Sequence, residues 1–229
     1  MKISKNRKKI ISSIDFEKIY DVNEAIKILK EKSYVKFDET IDVSINLGID
    51  SSKTDQNIKG VTNLPNGTGK NVVVAVVTSD DKLNEAKESG ADIHGGKEFV
   101  DNISNSKINF DILIATPDAM PLLGKVAKIL GPKGLMPNPK LGTVTKDIST
   151  AVKNAKSGQV KFKNDKSGIV HAGIGKMSFS EKDIFENLKE FYSTVIKSKP
   201  DTVKGSFVKK VTIASTMGVG LKINQASLR

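Results

Sequence analysis

The strongest constraint on the fold is a change of strand pattern partway along the chain. Thr40 to Leu47 alternates, with Ile41, Val43, Ile45 and Leu47 on one side and Thr40, Asp42, Ser44 and Asn46 on the other. Such a period of two marks a sheet with one buried and one open face. Val72 to Val77 and Ile112 to Ala115 are instead continuous apolar runs, as expected of strands covered on both faces. From Gly158 to Lys176 the alternation returns. There, Val160 to Lys163 and Ile169 to Ala172 flank a polar turn of Asn164, Asp165, Lys166, Ser167 and Gly168. Ser-Gly between two alternating runs predicts a β-hairpin.

Helical patterns fill the intervals. Asp21 to Lys32 is a helix by period, with Asp21 as cap and Glu24 three residues on. Helices are also expected from about Asp80 to Ser89, Glu98 to Ile103, Asp118 to Leu130 and Asp147 to Lys156. A weaker strand is expected around Ile58 to Leu64 and a final strand at about Phe207 to Ser215. Ser180 with Asp183 starts a long amphipathic helix whose buried stripe is Ile184, Leu188, Phe191 and Val195. Strands alternating with helices between residues 67 and 158 indicate a parallel, Rossmann-like unit of three layers. The chain therefore reads as a two-domain α/β protein. A two-layer α+β domain is built from residues 1–66 and 159–229, and residues 67–158 form an inserted α/β domain. The junctions carry Gly67 and Gly69 on one side and Ser157 and Gly158 on the other, where hinges form.

Charge indicates the kind of partner. The formal net charge of +11 is unevenly spread: +2 over residues 1–67, +2 over 68–159 and +7 over 160–229. A clustered positive field is the footprint of a polyanion, most often a nucleic acid. Only Arg7 and Arg229 are arginine, so phosphate contact by lysine is favoured over bidentate reading of guanine. Tryptophan is absent, which argues against a broad stacking platform. The absence of cysteine excludes thiolate metal sites and cysteine nucleophiles, and His94 and His171 alone cannot make an imidazole-rich site. Neither metal nor cofactor is expected. The basic N-terminus lacks a signal-like apolar stretch and no run approaches a membrane span, so a soluble, cytoplasmic protein is expected.

Five features could carry chemistry. NGTGK at Asn66 to Lys70 lacks the first glycine and the Ser/Thr of a phosphate loop, and it precedes a strand rather than a helix; the hinge reading is preferred. GPKGLMPNPK is either a basic loop acting through Lys133 and Lys140 or a rigid connection. His171 has no nucleophile constellation and reads as structural or RNA-contacting. Asp38, Glu39 and Asp42 make no convincing acid–base pair; on a nucleic-acid face such residues orient lysines or accept from 2′-hydroxyls. Met217 is a core residue by prior, unless Gly218 lets an exposed methionine lie against ribose. A phosphate- or nucleotide-handling enzyme built on the central block is the alternative class.

The segments KFDET, NDKSGIVHAGIGK and STMG, with GPKGLMPNPKLGTV between them, strongly resemble the bacterial large-subunit ribosomal protein L-one family over essentially the whole chain. That resemblance implies a non-enzymatic, monomeric protein that binds the mobile stalk of the large ribosomal RNA through its end-built domain. It further implies an inserted domain that faces the exit-site tRNA and assists its release, and repression of the protein's own messenger RNA. Carried over by motif, the RNA face would hold Lys36, Phe37 and Thr40. It would also hold Asp165, Lys166, Ser167, Gly168 and His171 around the turn, and Thr216, Met217 and Gly218. The family usually has proline after TMG, whereas this chain has Val219, which implies a less rigid loop there.

Overall fold

The structure is a computed structural model that describes residues 5–79, 83–104, 109–203 and 205–228. The chain divides into two compact units, Met1–Gly69 with Val160–Arg229 and Lys70–Gln159.

The first unit is organised on β1 (Thr40–Leu47). Its alternation does what its period predicts: Ile41, Val43, Ile45 and Leu47 are buried, while Asp42 on the opposite face is exposed and Thr40, Ser44 and Asn46 are half-buried. β1 lies between β7 (Ile169–Lys176) and β8 (Val208–Ser215), and β9 (Leu221–Ile223) completes an antiparallel sheet in the order β7-β1-β8-β9. Two helices cover the buried face, α2 (Val22–Glu31) and α8 (Glu181–Lys197). In α8 a capping box joins Ser180 to Asp183, and Ile184, Leu188, Phe191 and Val195 are fully buried. Each such aliphatic or aromatic side chain contributes about 1.5–3 kcal/mol by leaving water. Asp21 caps α2 by accepting from the Asn23 N–H; no capping box with Glu24 accompanies it. A basic helix, α1 (Lys5–Ser12), precedes α2 and adds Ile10 to the core.

The expected hairpin does not form. β6 (Gln159–Lys163) pairs with β2 (Lys59–Asn63) in a separate two-stranded sheet, and β7 pairs with β1. No ladder joins the two runs, which are linked at the turn by an isolated Asn164–Val170 bridge and the Asp165 N–H to Ile169 carbonyl bond of 2.9 Å. Asn164 supplies the reason. Its backbone N–H donates to the Ile58 carbonyl at 3.0 Å, and its Oδ1 accepts from the Ile58 N–H at 2.7 Å. That bond pair commits β6 to β2, while the open edge of β1 offers β7 a longer ladder.

The second unit holds a parallel sheet in the order β4-β3-β5, with β3 (Val74–Val77), β4 (Ile93–Gly95) and β5 (Ile112–Ala115). Val74, Val76, Ile112 and Ile114 face α3 (Leu83–Glu88) and α7 (Ile148–Lys156) through Ala86, Ile148, Val152 and Ala155. Ala75, Val77, Leu113 and Ala115 face the other way, against Val100 and Ile103 of α4 (Lys97–Ser104). Cover on both faces is why these strands read as unbroken apolar runs. β4 is too short to show a period and was not expected.

Where one helix over Asp118 to Leu130 is expected, the chain makes four short pieces. They are a 3-10 turn at Pro117–Ala119, α5 (Met120–Leu123), a second 3-10 turn at Gly124–Val126 and α6 (Ala127–Leu130). Pro121 lacks an N–H to donate and Gly124 gives the helix little support. Asp80 and the side chain of Lys140 lie outside what the structure describes. No described helix is long and apolar enough to cross a membrane.

Candidate nucleic-acid interface

The site grows from the start of β1. The Thr216 hydroxyl oxygen accepts from the Thr40 N–H at 3.1 Å and donates to the Thr40 carbonyl at 3.3 Å. Lys176, opposite Thr40 in the ladder, donates from Nζ to Thr40 Oγ1 at 2.9 Å and to the Asp38 carbonyl at 3.4 Å. The Asp38 carboxylate accepts from the N–H and hydroxyl of Ser178 at 3.1 and 2.8 Å. KFDET and STMG, far apart in the chain, are thus bonded to one another backbone to side chain.

Glu39 is the organising residue. It is 1% exposed. Its Oε1 accepts from the Met217 N–H at 2.7 Å and the Ser215 hydroxyl at 3.3 Å, and its Oε2 accepts from the Ser33 hydroxyl at 2.8 Å. A carboxylate with that many donors needs no exposure to be stable. Gly218 completes the loop, because a Cβ there would lie 2.3 Å from Ser215 Oγ. The strap leaves large apolar groups in water: Met217 is 48% exposed and Phe37 is 55% exposed, with Lys36 exposed beside it. Met217 is therefore a surface residue, in line with the exposed alternative rather than the core one. Val219 is buried at 7% in the apolar core, so packing holds the position where the resemblance implies proline.

The turn at residues 165–168 stands at the other end of β1. The Leu47 N–H donates to the Gly168 carbonyl at 3.0 Å, and Gly168 adopts φ 73° against Ile49. Asp165 Oδ1 accepts from the N–H groups of Ile169 and Ser167, both at 2.8 Å. The Ile169 N–H first, then Ser167 and the nearby His171, hold this carboxyl below its ordinary range. Lys166 and Ser167 are exposed, and the Lys166 carbonyl accepts from the Ser51 hydroxyl. The seven residue steps of β1 span roughly 23 Å, so the turn and the Glu39 strap do not meet in one pocket.

The open face of the sheet joins them. Ser44 lies opposite both His171 and Thr212, and Thr212 lies opposite Lys222. Ser44 Oγ and His171 Nδ1 share a 3.0 Å hydrogen bond, and His171 Nε2 lies 3.7 Å from Asp165 Oδ2. Asp42 sits between Gly173 and Ala214. Although the residue is exposed, partial desolvation against the sheet raises its carboxyl, and the charges of His171 and Lys176 oppose that rise. The face is polar, with Lys210 opposite Asn46.

The junction glycines adopt left-handed backbone, and Gly67 is tied to a buried side chain. Gly67 and Gly69 take φ of 69° and 68°, and Gly158 takes 101°. Asn187, fully buried on α8, donates from Nδ2 to the carbonyls of Gly67 at 2.9 Å and Ile174 at 2.8 Å, and its Oδ1 accepts from the Asn66 N–H at 3.1 Å. Ser157 closes α7, its N–H donating to the Lys153 carbonyl.

Asn187 and the role of Glu39 were missed from sequence. A signal existed for each: an amide inside the apolar stripe of α8, and a carboxylate between a basic segment and a strand. Lys133 is exposed in the 131–145 loop, which Ala115 ties down through Thr143 and Thr145. Among the described residues no group of histidines and acids could hold a metal ion.

A family model described as the ribosomal protein L1p/L10e family matches residues 29–219. The chain is 51% identical over 227 residues to the large ribosomal subunit protein uL1 of Mannheimia succiniciproducens, covering 99% of each.

Proposed function

Because this chain belongs to the ribosomal protein L1p/L10e family, we propose that it binds large-subunit ribosomal RNA along the open face of its β7-β1-β8-β9 sheet. The family is ribosomal, so the nucleotide-handling enzyme is set aside. The observation that carries the reading is the Glu39 strap, which bonds the backbone of the exposed Met217 beside Thr216, while Lys36 and Phe37 just before Glu39 in the chain are also exposed. An apolar group kept in water beside lysines and hydroxyls suits ribose and base contacts flanked by phosphate. The roughly 23 Å from strap to turn suits a folded RNA laid along the sheet, with Lys166, Ser167 and His171 meeting its far end.

In this reading Lys36, Phe37, Thr40, Thr216, Met217 and Gly218 form the tighter half of the footprint. Asp165 and Gly168 shape the turn, and Asp165 also orients His171. The RNA is the stalk region near the tRNA exit site. The inserted unit meets the exit-site tRNA and assists its release, and the same sheet face takes a stalk-like hairpin on the protein's own messenger.

Filter binding to a stalk RNA fragment tests this. Thr216→Val and Met217→Ala are each expected to weaken binding about five- to tenfold, corresponding to roughly 1–1.4 kcal/mol. Lys189→Ala, on the exposed side of α8, should change it little. Affinity should fall steeply with salt as phosphate counterions are displaced, and a messenger-leader hairpin should compete for the same site. Unchanged affinity in both loop variants, or binding indifferent to salt, would contradict the reading.

A further inference from the structure

Asn66-Gly67 is the only Asn-Gly pair in the chain, and it stands where the first segment leaves its unit. Asn-Gly is the most reactive sequence for loss of a side-chain amide, because glycine does not block approach to its own nitrogen. Here the reactants are restrained from several sides. Asn66 Nδ2 donates to Glu186 Oε2 at 2.9 Å and to the Asp183 carbonyl at 3.4 Å. The Gly67 N–H, the nitrogen that would attack, already donates to the Leu64 carbonyl at 3.1 Å. Asn187 holds the Asn66 N–H and the Gly67 carbonyl together.

We propose that Asn66 is a site of spontaneous deamidation, and that Glu186 sets its rate. When the amide leaves Glu186, the Gly67 nitrogen attacks Asn66 Cγ. A Cγ–N bond forms, the Cγ–Nδ2 bond breaks, and ammonia departs carrying the Gly67 amide proton. Water then opens the succinimide at either carbonyl, giving aspartate or isoaspartate. The net reaction consumes one water and releases one ammonia, with no redox partner.

The product cannot restore the clamp. A donor amide becomes an acceptor carboxylate facing the Glu186 carboxylate and the Asp183 carbonyl, and like charges at that range repel. The isoaspartate form also lengthens the backbone at the junction. Deamidation is therefore a one-way loosening of the segment that Asn187 otherwise pins. The proposal is independent of the RNA reading.

Peptide mapping by mass spectrometry in mildly alkaline buffer tests it. Wild type should convert Asn66 before any other asparagine, but at least about tenfold more slowly than a synthetic peptide of residues 60–70, because the reaction needs local opening. Glu186→Ala, at an exposed position, should raise the rate several-fold, whereas Glu186→Gln, which keeps an acceptor, should stay near wild type. Asn66→Asp should speed amide exchange at residues 66–69 without altering the melting transition of the core. Conversion at the peptide's rate in wild type would overturn the proposal. So would Glu186→Ala deamidating no faster than wild type, or Asn66→Asp exchanging as slowly as wild type.

Discussion

Glu39→Ala is expected to lower folding stability by about 2–4 kcal/mol and to weaken RNA binding about a hundredfold, corresponding to roughly 2.7 kcal/mol. The carboxylate is 1% exposed and accepts from Met217, Ser215 and Ser33. Truncation strands donors of which the Ser215 hydroxyl is itself buried, and it leaves a gap behind the TMG loop. The RNA loss follows from position rather than contact: Glu39 touches the loop backbone, and the loop presents Met217. Glu39→Gln separates shape from charge. With its carbonyl oxygen toward Met217, the amide nitrogen meets Ser33, whose hydroxyl can turn to accept. That variant should lose no more than about 1 kcal/mol. Urea midpoints and filter binding on both proteins read the difference; a Glu39→Gln as damaged as Glu39→Ala would contradict the strap.

Asn187→Leu should also cost about 2–4 kcal/mol, although leucine is a better helix former and core residue. The fully buried amide bonds the Gly67 and Ile174 carbonyls and the Asn66 N–H. Leucine satisfies none of them, and Ile174 is buried where water cannot substitute. Asn187→Asp should be worse, since a carboxylate would face two carbonyl oxygens without a proton to offer. The urea midpoint reads stability, and hydrogen exchange at residues 66–69 reads the junction. A leucine variant as stable as wild type would show that the buried amide contributes nothing.

What could be read from the sequence was what is settled locally. The period of two in β1, the unbroken runs of β3 and β5, and the Ser180–Asp183 box each depend on neighbours within a turn or on the two faces of one strand. The hairpin misreading has the opposite cause. Gly168 and Ser167 do make a turn, but Asn164 bonds Ile58, more than a hundred residues earlier, and no local signal carries that choice. β4 and β9, three residues each, are too short to show a period. For the candidate site, motif likeness named Thr40, Thr216 and Met217 and the structure bonds the first two directly. It did not reveal that the turn lies a strand's length away, because distance along β1 becomes distance in space only once the ladders are known. Glu39 was visible only as one acid among three; burial distinguishes it.

The most direct test is hydrogen exchange across the whole chain with and without the stalk RNA fragment. The account predicts slower exchange at residues 36–40, 165–171 and 215–218 on adding RNA, with residues 70–159 unchanged. Protection confined to residues 70–159, with the Glu39 strap and the 165–168 turn exchanging as in the free protein, would contradict it.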